Sequence, residues 1–289
     1  MRLRSRCALL VLAVLPVAAA HAAELRFSRD GTEVKRIDAA ALRAACGEQT
    51  VTVKDPYYDG ATKHYRACPL VAVLRLGFGA PPAPADDVVF HASDGYARPA
   101  SGRALATPGG WVAFADADLP GGFAPIGPRK IDAGPFYVVW TEPGQDDPDV
   151  WPWPWAVVDV EITDIDKRWP HIVPQGVDVD SAAWRGFQVF RRECVACHAV
   201  NREGGSVGPD LNVPQSIVEY RPVQQLKAYI RSPQTFRYGA MPSHENLTDA
   251  DMEGLIAYFN VMRTQKYDPA ATRGDGEGRR PRHDPGAAP

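Results

Sequence analysis

The segment Cys194-Val-Ala-Cys197-His198 constrains this chain more than any other feature, because two thiols and an imidazole so close together serve few chemistries. The candidates are a redox-active dithiol, half of a zinc site and an anchor for covalent haem. A thioredoxin-like pair begins a helix, whereas these cysteines follow an apolar helical stripe that runs from Trp184 to Phe190. No second pair of Cys or His ligands follows at zinc spacing. The segment therefore predicts haem bound through both thiols, with His198 as an axial iron ligand.

A second axial ligand is expected from the segment Tyr238-Gly-Ala-Met241-Pro242. A thioether is a soft ligand that favours reduced iron, and the following proline stiffens the loop that presents it. His244 is the competitor, and bis-histidine ligation would lower the reduction potential. Met252 and Met262 fall within the last amphipathic helix, where we expect them to be core or surface residues rather than ligands. We therefore expect Met241 as the distal ligand, with His244 on the surface just beyond the ligand loop.

Motifs in the last third of the chain follow the order of a known family. They are Gly186-x-x-Val-Phe190-x-x-x-Cys194-x-x-Cys197-His198, Gly208-Pro209-Asp210-Leu211, the Met241 loop, Leu247-Thr-Asp and Leu255-Ile-Ala-Tyr258-Phe259. This order resembles the class I c-type cytochromes. The resemblance implies an all-α cytochrome c domain over residues 181–265 that carries one covalent haem c. It also implies that the first and last helices cross through Gly186, Phe190 and Tyr258, and that the Pro209 carbonyl accepts a hydrogen bond from the His198 ring.

The N-terminal residues predict export. Arg2, Arg4 and Arg6 precede an apolar run over residues 8–20, and Ala20-His21-Ala22 fits a cleavage site near Ala22. We therefore expect a signal peptide over residues 1–22, which would take Cys7 with it, and a periplasmic mature protein. Loss of the three arginines lowers Lys and Arg from 32 to 29 against 35 Asp and Glu, a formal charge of −6. Nothing in this charge favours binding to nucleic acid, and the mature chain offers no integral membrane segment.

Residues 23–169 have a different pattern. Short runs rich in β-branched and aromatic residues, bounded by Gly, Pro and Asp, predict strands at residues 87–92, 110–115, 135–140 and 156–163. Helices are predicted at residues 39–46 and 69–76. We expect an α+β domain with a mixed sheet and helices, followed by a linker over residues 170–180. Residues 266–289 are rich in Gly, Pro and charge and predict a disordered tail.

The order of Cys68-Pro-Leu-x-x-Val-Leu, Val88-Val-Phe-His-Ala-Ser-Asp-Gly-Tyr and Val157-Val-Asp-Val-Glu-Ile-Thr resembles the sulfite-oxidase-type molybdopterin-binding fold. That family binds molybdenum through a cysteine after its first helical unit. The corresponding stretch here, Thr50-Val-Thr-Val-Lys-Asp-Pro-Tyr-Tyr, has no cysteine. We therefore expect a domain without molybdopterin, whose surface binds a partner or a ligand.

Cys46 and Cys68 remain after the haem anchor is assigned, and each lies at the edge of a predicted helix. In an oxidising compartment they predict a disulfide, which would stabilise the domain by about 3 kcal/mol. Trp151-Pro-Trp-Pro-Trp155 must run extended, either packed along a sheet edge or as an aromatic docking surface. His64, His91 and His171 are scattered, and we expect surface or hydrogen-bonded roles for them.

These observations favour a periplasmic carrier that moves one electron at a time between redox partners, with the N-terminal domain used for docking or ligand binding. The expected partner is a periplasmic dehydrogenase or terminal oxidase. We expect an electron-transfer protein rather than a catalyst. The alternative is a haem-containing subunit or enzyme whose N-terminal domain oxidises a small molecule and passes electrons to the haem.

Overall fold

The computed structural model describes residues 23–148, 150–239, 241–269 and 271, and the expected signal peptide and most of the expected tail lie outside them. The N-terminal region is rich in strands and the C-terminal region is helical, as the sequence predicted. No helix in these ranges has the length and apolar character needed to cross a bilayer.

Two sheets build the N-terminal region. The strands are β1 (Glu24–Arg29), β2 (Thr32–Asp38), β3 (Gln49–Asp55), β4 (Ala61–Pro69), β5 (Asp87–Ala92), β6 (Ala97–Ser101), β7 (Gly110–Asp116), β8 (Tyr137–Trp140) and β9 (Val157–Thr163). One sheet has the order β2-β1-β9-β5-β6 and the other the order β3-β4-β7-β8. The first sheet is mixed, because β1 and β9 run parallel while its other pairs are antiparallel. The predicted mixed α+β architecture is therefore confirmed.

Four helices accompany these strands: α1 (Ala39–Cys46), α2 (Leu70–Phe78), α3 (Gly102–Leu105) and α4 (Ile165–Arg168). Asp38 caps α1, because its side chain accepts a hydrogen bond from the Ala41 amide. The predicted helices correspond to α1 and α2, and the four predicted strands correspond to β5, β7, β8 and β9. Sequence patterns missed β1 to β4 and β6. In β2 every residue from Thr32 to Arg36 is exposed, so no apolar alternation marks it as a strand.

The expected disulfide is present and joins Cys46, at the end of α1, to Cys68 in β4, with a Cα–Cα distance of 5.7 Å. Both cysteines belong to the apolar core of the N-terminal region, which also buries Phe27, Tyr65 and Trp140. The bond therefore ties helix to sheet inside the core.

The segment Trp151-Pro-Trp-Pro-Trp155 packs on the domain instead of forming an exposed aromatic surface. Trp153 is buried and donates its indole N–H to the Gln145 carbonyl at 2.8 Å. The Val138 amide in β8 donates to the Pro154 carbonyl at 3.0 Å, which holds the segment against the sheet edge. The structure thus supports the packing interpretation and contradicts the docking surface.

The C-terminal region contains α5 (Ala182–Val189), α6 (Ile217–Tyr220), α7 (Val223–Arg231) and α8 (Asp249–Met262), with a two-stranded ribbon of β10 (Ala199–Val200) and β11 (Glu203–Gly204). A π-helical turn, Phe190–Cys194, continues α5 into the cysteine segment. Helices α5 and α8 cross at Gly186, where a Cβ atom would lie 1.9 Å from the Gly254 carbonyl oxygen. Phe190 and Tyr258 meet beside this crossing, with ring centroids 5.4 Å apart. The crossing expected from the family resemblance is confirmed.

Residues between the two regions belong to the C-terminal core. Trp169 and Ile172, which the sequence placed at the boundary and in the linker, are buried there, and the Tyr258 hydroxyl donates to the Ile172 carbonyl at 2.8 Å. The first tail residues also pack, since the Tyr267 ring stacks on His171 with centroids 3.6 Å apart. Val89 and Ala97 of the N-terminal sheet join the same core. The two regions therefore share an apolar interface.

Candidate functional site

One cavity of the C-terminal region, with a volume of about 320 Å³, collects the candidate site residues from separate parts of the chain. Cys194, Cys197 and His198 come from the turn after α5, Pro209 from the loop after β11, and Met241 from the loop before α8. The structure therefore brings all five predicted residues to one place, although they span almost fifty positions of sequence.

The His198 ring is held in one orientation. Its Nδ1 lies 2.8 Å from the Pro209 carbonyl oxygen, which can only accept, so Nδ1 carries the proton and Nε2 keeps a free lone pair. Burial lowers the pKa of His198, which favours this neutral ring. Gly208 packs against the ring, because a Cβ atom there would lie 2.3 Å from Cε1. Loop and ring together leave Nε2 as the nitrogen available to a metal.

The two cysteines of the segment are not bonded to each other. Burial raises the pKa of Cys194 to about 12, and burial followed by the Asp94 carboxylate raises the pKa of Cys197 to about 11. A disulfide-exchanging thiol needs the opposite shift, since the thiolate is the nucleophile. Raised pKa values therefore do not favour the redox-dithiol chemistry that the spacing alone allowed.

Two hydrogen bonds to backbone carbonyls hold the loop that carries Met241. The Gln234 side-chain amide donates to the Met241 carbonyl at 2.9 Å, and the His244 amide donates to the Ile230 carbonyl at 3.3 Å. Met241 packs against the C-terminal core and also lines the cavity. Met252 and Met262 are buried in α8, so they are core residues, one of the two roles that the sequence left open.

His244 is not a surface residue, contrary to the expectation. Its side chain is 12% exposed, lines the same cavity and places Nδ1 3.8 Å from Glu193 Oε2. The Glu193 side chain is itself 9% exposed. His244, assisted by Arg192, lowers the pKa of Glu193 to about 2, although burial acts in the opposite direction. The pair links the distal loop to the residue that precedes Cys194. Sequence reasoning missed this link, because neither residue belongs to a recognisable motif.

Six apolar side chains form a large part of the cavity wall: Leu211, Ile217, Leu226, Ile230, Leu255 and Phe259. Such a wall suits a flat, largely apolar macrocycle. A neutral imidazole, a thioether and two thiols are also the side chains that c-type haem requires. The residues present therefore fit covalent haem, with Cys194 and Cys197 to attach it and His198 and Met241 to ligate its iron.

The three other histidines in the described ranges have carboxylate partners. His64 Nδ1 lies 2.9 Å from Asp118, His91 Nε2 lies 2.8 Å from Glu161, and His171 Nδ1 lies 2.6 Å from Glu203. Each is a hydrogen-bonded histidine, as expected. Within the described ranges no cluster of three or more His, Cys, Asp or Glu side chains forms a metal site.

Comparison with known proteins agrees with this geometry. Residues 183–262 match the model of the cytochrome c family, so the C-terminal region is a cytochrome c domain, a class of domain that carries haem c and transfers electrons. A segment of 94 residues is 33% identical to cytochrome c oxidase subunit 2 of Alkalihalophilus pseudofirmus. That similarity covers 30% of this chain and 28% of the subunit.

Proposed function

We propose that the mature protein is a periplasmic monohaem c-type cytochrome that carries one electron at a time between redox partners. Cys194 and Cys197 attach the haem, His198 and Met241 are its axial ligands, and Pro209 orients the His198 ring. When bound, the haem supplies reversible exchange of one electron between the Fe(III) and Fe(II) states.

The observation that carries this proposal is the oriented His198 ring at the wall of an apolar cavity that Met241 also lines. The Pro209 carbonyl retains the Nδ1 proton, so Nε2 is the donor atom. The apolar part of the wall suits the macrocycle, and the Gln234 amide keeps the Met241 loop in place. The chain thereby stabilises one ligand set in both oxidation states.

The N-terminal domain is proposed to be a sulfite-oxidase-like scaffold without molybdopterin. Asp55, in the stretch where that family has its cysteine, is fully buried and accepts hydrogen bonds from the Tyr65 and Tyr137 hydroxyls at 2.8 and 3.0 Å. A carboxylate enclosed in this way supports a structural role for that stretch. The partner is proposed to be a dehydrogenase or an oxidase, and the name of the similar subunit supports the oxidase.

The test is the cofactor content of the protein purified from the periplasm. We expect one covalent haem and one iron per chain, without molybdenum, and His198→Ala should lose the native ligation spectrum. His64→Ala is the matched control, because His64 lies on the N-terminal surface. A native-like haem spectrum in His198→Ala would exclude the assigned ligand. Stoichiometric molybdenum would favour the alternative in which the N-terminal domain is an enzyme.

A further inference from the structure

The turn between β5 and β6 of the N-terminal domain contacts the haem-attachment segment. The Ala97 amide donates to the Ala196 carbonyl at 2.8 Å, and the Ser206 amide donates to the Gly95 carbonyl at 2.9 Å. These four residues lie outside the wall of the cavity. We call residues 93–98 the interdomain turn. It joins the N-terminal domain to the backbone between the two cysteines and to the loop that follows them.

The interdomain turn is fixed on both sides. Towards the C-terminal domain its fit is close, because Gly95 has φ +94° and a Cβ atom there would lie 2.2 Å from the Ser206 hydroxyl oxygen. This conformation and this space both favour glycine. Towards its own domain the Ser93 amide donates to the Ala156 carbonyl at 2.9 Å. The position of the turn relative to the cysteines is therefore defined by contacts in both domains.

The interdomain turn places a carboxylate near Cys197. Asp94 Oδ1 accepts a hydrogen bond from the Tyr96 amide at 3.0 Å, which restricts the orientation of the carboxylate. Burial is the larger cause of the raised pKa of the Cys197 thiol, and the negative charge of Asp94 is the next. The electrostatic influence of Asp94 therefore extends to a residue that we propose attaches the haem.

Arg98, the last residue of the interdomain turn, carries the opposite charge. Its Nη1 donates to the Arg192 carbonyl at 3.2 Å, and its Nη2 donates to the Pro148 carbonyl at 3.3 Å. These hydrogen bonds hold the guanidinium between the two domains. Arg98 acts on the pKa of Cys197 in the direction opposite to Asp94, and its effect is the smaller of the two. The turn therefore fixes two unlike charges beside the attachment segment, and the carboxylate has the larger effect.

We propose that the N-terminal domain adjusts the reduction potential of the haem through the interdomain turn, with Asp94 lowering this potential and Arg98 raising it. This inference rests on the proposed function. Fe(III) haem carries one more positive charge than Fe(II) haem, so a fixed negative charge stabilises the oxidised state and a fixed positive charge stabilises the reduced state. The turn itself neither gives nor takes an electron. The N-terminal domain thus has a role in electron transfer that needs no cofactor of its own.

The test is a redox titration of the full-length holoprotein at neutral pH and low ionic strength. Asp94→Asn removes the charge and keeps an oxygen that can accept the Tyr96 amide hydrogen bond. It should shift the equilibrium towards Fe(II) by about twofold to threefold, a rise in potential of about 18 to 28 mV, because a tenfold change in a one-electron equilibrium is about 59 mV. Asp94→Glu keeps the charge and should retain the original potential. Because Asp94 is exposed, high salt should reduce the effect of Asp94→Asn.

The sign of a second substitution separates an effect of charge from a loosened interface. Arg98→Gln should move the potential in the opposite direction and by a smaller amount, whereas Arg98→Lys keeps the charge and should have little effect. A loosened interface would move the potentials of Asp94→Asn and Arg98→Gln in the same direction. Asp118→Asn is the matched control, because Asp118 pairs with His64 and follows β7 of the other sheet. It should leave the potential unchanged.

Amide hydrogen exchange in the same proteins measures whether the interdomain turn stays in place. The Ala97 and Ser206 amides should exchange slowly, because each donates to a carbonyl across the interface. Rapid exchange at both amides in the unmodified holoprotein would overturn the inference. So would an unchanged potential in Asp94→Asn, or shifts of Asp94→Asn and Arg98→Gln in one direction, although the protein would still be a cytochrome. Purified protein without covalent haem would overturn the proposed function itself.

Discussion

The N-terminal and C-terminal regions differ in how they complete their cores. The N-terminal region closes its own core with a disulfide, large buried aromatic side chains and the enclosed Asp55 carboxylate. In the C-terminal region apolar side chains face a cavity. Protein interiors are close-packed, so an apolar cavity of this size costs stability until a ligand fills it. We therefore expect the N-terminal region to keep its core without a cofactor, and the C-terminal region to depend on the haem that we propose is attached by Cys194 and Cys197.

The largest difference between the two regions should appear when attachment of the haem is prevented. Cys194→Ala/Cys197→Ala should abolish covalent haem and lower the unfolding temperature of the C-terminal region, while the N-terminal region retains its disulfide and its own transition. Absorbance of the denatured protein measures covalent haem, and differential scanning calorimetry separates the transitions. Cooperative loss of both regions at the lower temperature would show that the shared interface, rather than separate cores, governs stability.

Changing the distal ligand should have a smaller effect that leaves the haem attached. Met241→Ala should abolish the weak near-infrared sulfur-to-iron charge-transfer band and lower the reduction potential, because the thioether favours Fe(II). It should also open a coordination position for carbon monoxide. Optical spectra and redox titration provide the measurements.

His244→Ala is the control for the distal ligand. We expect the charge-transfer band to remain, because Met241 is still present. A five-coordinate haem in His244→Ala, together with no such band in the unmodified protein, would identify His244 as the ligand.

Removal of the disulfide should destabilise the N-terminal region and leave the haem site of the C-terminal region unchanged. Cys46→Ser/Cys68→Ser should lower the free energy of unfolding by about 3 kcal/mol, and the haem spectrum should not change. Denaturant unfolding followed by tryptophan fluorescence measures the first effect. Alkylation of both thiols in the native exported protein would contradict the bond.

The smallest expected effect is a pH dependence in the five-stranded sheet. Burial opposes ionisation of Glu161, but hydrogen bonds from His91 and Arg168 outweigh it and lower its pKa from 4.5 to about 2. Because the folded-state pKa is depressed, the stabilisation is complete above pH 4.5 and is lost as the pH falls through about 2. Because Arg168 and His91 are partly exposed, this stabilisation is limited to about 2 kcal/mol.

Unfolding of the N-terminal region between pH 5 and pH 2 measures this effect. Glu161→Gln should be less stable at neutral pH and should lack the Glu161 part of the acid-induced loss. An unchanged acid profile in this variant would assign the loss to other carboxylates.

Local sequence patterns predicted much of the cytochrome c domain. Cys194, Cys197 and His198 are neighbours in the chain, so spacing alone restricted their chemistry. Met241 and Pro209 could be predicted because their motifs occur in a recognisable order. The start signals of α7 and α8 are also visible in the sequence, since Pro222 precedes the first helix and the Thr248 capping box begins the second. The fold of the N-terminal region was predictable only in class, because edge strands such as β2 lack an apolar pattern.

The sequence by itself determined which residues are candidates for haem attachment and axial ligation, and it predicted the disulfide, because each depends on residue type and spacing. Tertiary structure alone decided that His244 faces the cavity beside Glu193, that the Trp151 to Trp155 segment is packed, and that the turn at Gly95 covers Ala196. Those contacts join residues from about 50 to 100 positions apart or depend on which side of a fold faces another. Such pairings are set by the packing of whole elements, and no local pattern encodes them.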